Sequence, residues 1–288
     1  MMNLFGRSSS RRRSSEASSG SSSVRRSCVE PSANSIRDAA TKSCLWPCND
    51  FMVKAGIKEE FDQYIHTAEL SPYIEDRCNQ HLSLTESFTK EFKFHPRESR
   101  VSSKMYDYPS TLPLETFSNH CKILFWGSLD EPPRSEFEIF LTSLCYGETR
   151  GVTQGRIKII HFPSIQYFEL FNVKCIVGKQ DCSTLCAPAL SLIRTALTSD
   201  KSYNLGEIVA RRLQHNAGSG YFYGGIYATR LARELGVSPL SYDPILPTQY
   251  LDFDASKRHK ILSGEPHNFT YNLLFNKISI VDTYLPAP

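Results

Sequence analysis

From about residue 46 onward, apolar positions recur at helical spacing. Ile57, Phe61, Tyr64 and Ile65 stand at i, i+4, i+7 and i+8, one face of a short helix. Ser71-Pro72 sets a capping hydroxyl ahead of a proline at the first helical position. Ser83-x-x-Glu86 has the form of a capping box, and Leu84, Phe88 and Phe92 follow at helical spacing. Leu114, Phe117 and Cys121 predict another short helix. The clearest helix opens at Ser135, which forms a second capping box with Glu138. Phe137, Phe140, Leu141 and Leu144 give it one apolar stripe, and Gly147 can supply a left-handed end. Pro163 opens a helix carrying Ile165, Phe168 and Phe171. Leu190, Ile193 and Leu197 mark the next. Leu205, Ile208, Val209 and Leu213 mark the one after. Tyr227, Leu231 and Leu235 mark the last, ended by Gly236.

Strand signals are few. Residues 95–111 are polar, contain Pro96 and Pro109, and read as a loop with a short strand around Lys104–Tyr108. Arg156–Phe162 alternates in part. Pro239, Pro244 and Pro247 forbid long helices near the end. The expected fold is mainly α: a single helical domain over 46–250 with a few short strands, then an irregular tail over 251–288. Helices 135–146, 204–216 and 224–235 are expected to pack on one another, because each shows a single apolar stripe that must be buried.

The first 45 residues break this pattern. Residues 1–43 hold fourteen serines and eight Lys/Arg against three acids, so 8 − 3 = +5; with +3 for the whole chain, the remainder carries 3 − 5 = −2. A segment this poor in apolar residues cannot offset its ordering entropy, so disorder is expected over 1–45. Its charge nominates Arg7, Arg11, Arg12, Arg13, Arg25 and Arg26 as weak contacts to nucleic-acid phosphates, without reading of sequence. An organelle-targeting role is the alternative for a start rich in Ser and Arg and poor in acids. The near-neutral remainder does not suggest a dedicated nucleic-acid surface.

Nine cysteines, an odd number with no apolar signal region ahead of them, fit free thiols in a reducing compartment, nucleus or cytoplasm. No run of about 18 apolar residues exists, so no membrane partner is expected. The Asn268-Phe269-Thr270 sequon is then a chance match.

Motif by motif, the chain lacks the chemistry of known sites. There is no G-x-S-x-G elbow, no Asp-Ser/Thr-Gly and no Tyr-x-Asp-Asp. The glycines at 218, 220, 224 and 225 miss the dinucleotide pattern, since Tyr223 stands where a glycine is needed. Cys44-x-x-x-Cys48 and Cys182-x-x-x-Cys186 lack a histidine at zinc spacing, and a four-cysteine site joining both pairs is the rival reading. His161, His215 and His259 have no fixed partner in sequence. Helix Ala228–Leu235 followed by Gly236-Val237-Ser238 imitates the first helix and turn of a helix-turn-helix, but Pro239 and Pro244 prevent a reading helix. Arg211, Arg212, Arg230 and Arg233 form a basic patch only if their helices are adjacent, with Glu207 and Glu234 close enough to offset it. No catalytic residue, metal or cofactor is assigned. The competing class is an enzyme whose site is assembled from distant residues.

One larger pattern remains. Ile159, Pro163, Tyr167 and Phe168 are followed by Leu190 and Ile193. Leu205, Gly206 and Leu213 come next, and then Gly224, Gly225, Ile226, Leu235 and Gly236. Upstream, Leu84-Thr85-Glu86-Ser87-Phe88 fits a helix that leads into a strand. In this order and spacing, over roughly 84–250, the chain resembles the C-terminal domain of the Athila-type protein, the first-open-reading-frame product of plant LTR retrotransposons. It departs from that family at 97–113, polar where the family shows an apolar strand, and over 1–43. The resemblance implies a transposon-derived, non-enzymatic protein with no assigned activity. A degraded element copy is the alternative.

Overall fold

The computed structural model describes residues 42–125, 127, 134–144, 160, 162–178, 185, 187–199, 203–219, 223–265 and 267–271. Arg7, Arg11, Arg12, Arg13, Arg25 and Arg26 lie outside these residues, as do Ile159, His161, Cys182, Cys186 and the expected helix end at Gly147. The fold is mainly helical with short strands.

Packing starts earlier than the expected boundary at 45. Ser43, Cys44 and Leu45 are buried, and Leu45 opens strand β1 (Leu45–Pro47). Helices α1 (Asn49–Lys54), α2 (Lys58–Thr67) and α3 (Ser71–Glu75) follow. Phe61 and Ile65 of the expected stripe are buried on α2. A two-residue strand, β2 (Gln80–His81), leads into α4 (Leu82–Lys90), where Leu84 and Phe88 point inward. The Ser83–Glu86 capping box does not form, because α4 starts at Leu82, two residues too early for Ser83 to cap it. The Asp243 carboxylate accepts from the open N–H groups of Ser83 (2.7 Å) and Leu84 (2.9 Å) instead. A long-range contact replaces the local cap.

The polar stretch read as mostly loop is an antiparallel meander: β3 (Lys93–His95), β4 (Arg100–Met105) and β5 (Tyr108–Pro113), in the order β3-β4-β5. Phe94, Val101, Ser103 and Met105 are buried, while Lys93, Arg100 and Lys104 face outward. A serine at one inward position blurs the alternation. Pro109 and Pro113 are tolerated because β5 is an edge strand.

Beyond the meander come α5 (Leu114–His120), α6 (Arg134–Leu144) and α7 (Pro163–Phe171), which runs on through a π-turn at Asn172–Ile176. Then follow α8 (Ala187–Thr198), α9 (Leu205–Ser219) and α10 (Gly225–Glu234). Every residue from Ser164 to Ile176 is buried, so α7 is the central helix, not a one-sided one. Phe61 of α2 packs its ring against Tyr167, Phe168 and Phe171. The expected triad of helices is corrected accordingly: α9 and α10 meet through α4 and α5, and α6 packs on α8. On α8 Ala189, Leu190, Leu192, Ile193 and Ala196 are buried, whereas Leu197 is exposed.

Regular elements continue through the proline-containing stretch after 239 and into the described residues of the expected tail. Strand β6 (Ile245–Leu246) pairs antiparallel with β2, and β7 (Gln249–Leu251) pairs parallel with β1. Helix α11 (Phe253–Arg258) and the hairpin β8 (Leu262–Glu265) with β9 (Asn268–Tyr271) complete the described fold. Leu251, Ala255, Ile261, Leu262 and Tyr271 join the same apolar cluster as Cys44 and Trp46. Pairing between distant strands, invisible in local sequence, ties this segment to the domain.

Candidate functional site

The most unusual side chain is Arg230 on α10. It is fully buried, although charged helix residues usually face water. Its Nη1 donates to the Cys121 carbonyl at 2.7 Å, and its Nη2 donates to the carbonyls of Tyr73 and of Asp76, the latter at 2.6 Å. The guanidinium also lies over the Tyr73 ring, 4.4 Å from its centroid. Its Nε stands 3.4 Å from the Asp76 carboxylate. Asp76 is in turn gripped from outside by Arg233, through contacts of 2.9 and 2.6 Å. The hydrogen bond from Arg233, together with the nearby charge of Arg230, holds the Asp76 carboxyl below its ordinary range. Arg230 thus ties α10 to the C-terminal ends of α3 and α5. The four-arginine patch therefore does not exist: Arg230 is interior, Arg233 is paired with Asp76, and Arg211 is paired with Glu207.

Thiols and phenols surround the clamp. Tyr73 donates to the Cys175 carbonyl (2.7 Å), and Tyr227 donates to the Ile176 carbonyl (2.8 Å) at the π-turn. The Cys44 thiol lies 3.7 Å from the Cys175 carbonyl. Burial pushes the Cys78 thiol up to about 11, and raises those of Cys121 and Cys175 too. Such thiols stay protonated at neutral pH and are poor nucleophiles. The Cys44 thiol faces Cys175, and the Cys48 backbone N–H donates to the Tyr167 hydroxyl (3.0 Å). Among the described residues, no three His, Cys, Asp or Glu side chains converge as metal ligands do.

Along α7, Gln166, Glu169 and Asn172 recur every third residue and all are buried. Gln166 donates to the Ile160 carbonyl (2.7 Å), while the Asn172 amide has no hydrogen-bond partner among the described residues. That unmet amide costs about 1–3 kcal/mol, which packing must offset.

The glycines at the start of α10 serve packing. Gly224 has φ +128°, and a side chain at Gly225 would collide with Gln80 and Thr85 of the neighbouring strand and helix. After Glu234 the chain turns into β6, so no second helix of a helix-turn-helix follows. His215 lies exposed on α9. His259 is half-buried, and burial, with Lys174 and Arg258 nearby, pulls its pKa down to about 4.

On the outside, α9 and the edge strand β3 form an open groove of about 590 Å³, lined by Phe94, Pro96, Arg211, Gln214, His215 and Gly218. Gln214 accepts from the Phe94 backbone N–H (2.8 Å), and Arg211 lies over the Phe94 ring. Sequence reasoning missed both this groove and the clamp. The one signal for the groove is a run of cations over 90–104. Among the described residues no helix is long and apolar enough to cross a membrane. Compared with family models, curated proteins and solved structures, the chain matches none of them.

Proposed function

We propose that this chain is a transposon-derived, non-enzymatic interaction module of the Athila-like kind, which touches nucleic acid weakly through its basic N-terminal segment. The observation that carries the nucleic-acid part is the charge division: +5 over residues 1–43, against −2 over the rest. Phosphate contacts from Arg7, Arg11, Arg12, Arg13, Arg25 and Arg26 would position a strand without reading bases. Among the described residues, several groups that can perform chemistry are engaged in holding the fold. Arg230 clamps carbonyls, Tyr73 and Tyr227 donate to backbone, and Cys78, Cys121 and Cys175 are held as neutral thiols.

The test is binding of a labelled oligo-uridine by the full chain and by a variant with those six arginines changed to Gln, across a salt series. If all six touch phosphates, the slope of log K against log salt falls by about 4, at about 0.7 per contact for a single strand. Identical curves for the two proteins overturn the assignment.

A further inference from the structure

Residues 90–104 contain Lys90, Lys93, Arg97, Arg100 and Lys104 against Glu91 and Glu98, so 5 − 2 = +3 in fifteen residues. The rest of the chain after residue 43 then carries −2 − 3 = −5. Folding concentrates this excess further. The register pairs Lys93 with Ser102 and His95 with Arg100, which sets Lys93, Arg100 and Lys104 on the one outward face of the meander. The opposite face is the buried one. Arg97 sits on the short turn after β3, exposed, next to Pro96 at the mouth of the groove. Across the groove stand Arg211 and His215 on α9, both exposed.

The acids present pair with part of this surface and leave the rest. Glu98 pairs with Arg100 at 2.6 Å, Asp107 pairs with Lys104 at 3.1 Å, and Glu207 pairs with Arg211. Among the described residues Lys93 and Arg97 have no carboxylate within ion-pair distance. With Glu98, Asp107 and Glu207 counted against Lys93, Arg97, Arg100, Lys104 and Arg211, the surface keeps 5 − 3 = +2 on a net-negative domain, carried by Lys93 and Arg97 in a strip that runs from the sheet face past β3 to the open groove.

We propose that this strip is a second contact for the phosphate backbone of single-stranded nucleic acid, in addition to the N-terminal arginines. The proposal rests on the nucleic-acid reading above. A groove of about 590 Å³ is the size of sites that hold a nucleotide-sized group. Phe94 is buried beneath Arg211, so it offers bases no stacking platform. The contact is therefore electrostatic and tolerant of sequence. Two weak sites on one chain reinforce each other on a single strand.

The experiment uses full-length protein and a labelled 20-nucleotide oligo-uridine, with a duplex of equal length as the second probe. The strip variant carries Lys93→Gln, Arg97→Gln and Arg100→Gln. A control carries Lys54→Gln, Lys257→Gln and Arg258→Gln, the same charge change elsewhere on the surface. The arm variant carries the six Arg→Gln changes. The strip variant is expected to lose about 2 from the single-strand salt slope, which is about a hundredfold in affinity at 0.1 M salt, while the control stays near wild type. Circular dichroism confirms that each variant is folded. Equal loss in strip and control overturns the proposal, since net charge alone is then responsible. So does tighter binding of the duplex than of the single strand, and so does an unchanged strip variant beside a weakened arm variant, which leaves the arm reading intact. An unchanged arm variant beside a weakened strip variant overturns the arm reading and supports the strip. No binding by the wild-type chain overturns both.

Discussion

Replacing Arg230 by Ala tests the clamp most directly. The substitution removes the donors to three buried carbonyls, those of Tyr73, Asp76 and Cys121, and the cation over the Tyr73 ring. An unsatisfied buried acceptor costs about 1–3 kcal/mol. Asp76 keeps Arg233, and its side chain is 23% exposed, so water can reach part of the site. The low end of the range is therefore appropriate, and the total comes to about 3–5 kcal/mol, the usual cost of removing one partner from a buried charge pair. That is a large share of a typical domain's stability of about 5–15 kcal/mol. Arg230→Lys retains the charge but replaces a planar fork by a single ammonium, which can satisfy at most part of the three-carbonyl set. It should recover only part of the loss. Arg233→Ala, whose side chain is 47% exposed, should cost about 1 kcal/mol or less. Urea denaturation can follow this by fluorescence, because Trp46 is buried with its ring 5.9 Å from that of Tyr73. If Arg230→Ala costs no more than Arg233→Ala, Arg230 is a solvated surface residue and the packing of α10 described here is wrong.

Two further perturbations follow from burial. Leu231→Ala, at a buried position on α10, should cost about 3 kcal/mol, whereas Phe140→Ala, at a half-buried position on α6, should cost clearly less. Equal thermal midpoints for the two variants would remove the distinction drawn between α10 and α6. For His259, the folded pKa of about 4 lies below the unfolded value of about 6.5, so its neutral form is favoured by folding. Its contribution is fully present above pH 6.5 and is lost as pH falls toward 4, where the unfolded chain binds the proton first. The difference in stability between wild type and His259→Gln should therefore change between pH 7 and pH 4, in favour of the variant at the acid end. A pH-independent difference refutes the shift.

Helix positions were largely legible in the sequence, because a 3.6-residue period survives in any window that contains one apolar stripe. Phe61 and Ile65, Leu84 and Phe88, Leu141 and Leu144, and Leu213 with Leu231 all point inward as their spacing predicts. The meander was not legible. Its inward set includes Ser103, its prolines sit on an edge strand, and strand pairing is a contact between segments that no local window contains. The same reason hid β6 and β7, which are defined by partners at 80–81 and 45–47.

The sequence by itself determined the charge division between the first 43 residues and the rest, the helical periods and the absence of a contiguous catalytic motif, all of which are properties of neighbours along the chain. Only the tertiary structure decided what the charged residues do. Arg230 and Arg233 are three apart on one helix and look alike in sequence, yet one is fully buried and the other is exposed. A one-turn helical neighbour can face a different environment, and the carbonyls that satisfy Arg230 come from Tyr73, Asp76 and Cys121, more than a hundred residues away. Burial of a charge is set by such distant partners, and they are fixed only when the chain is folded.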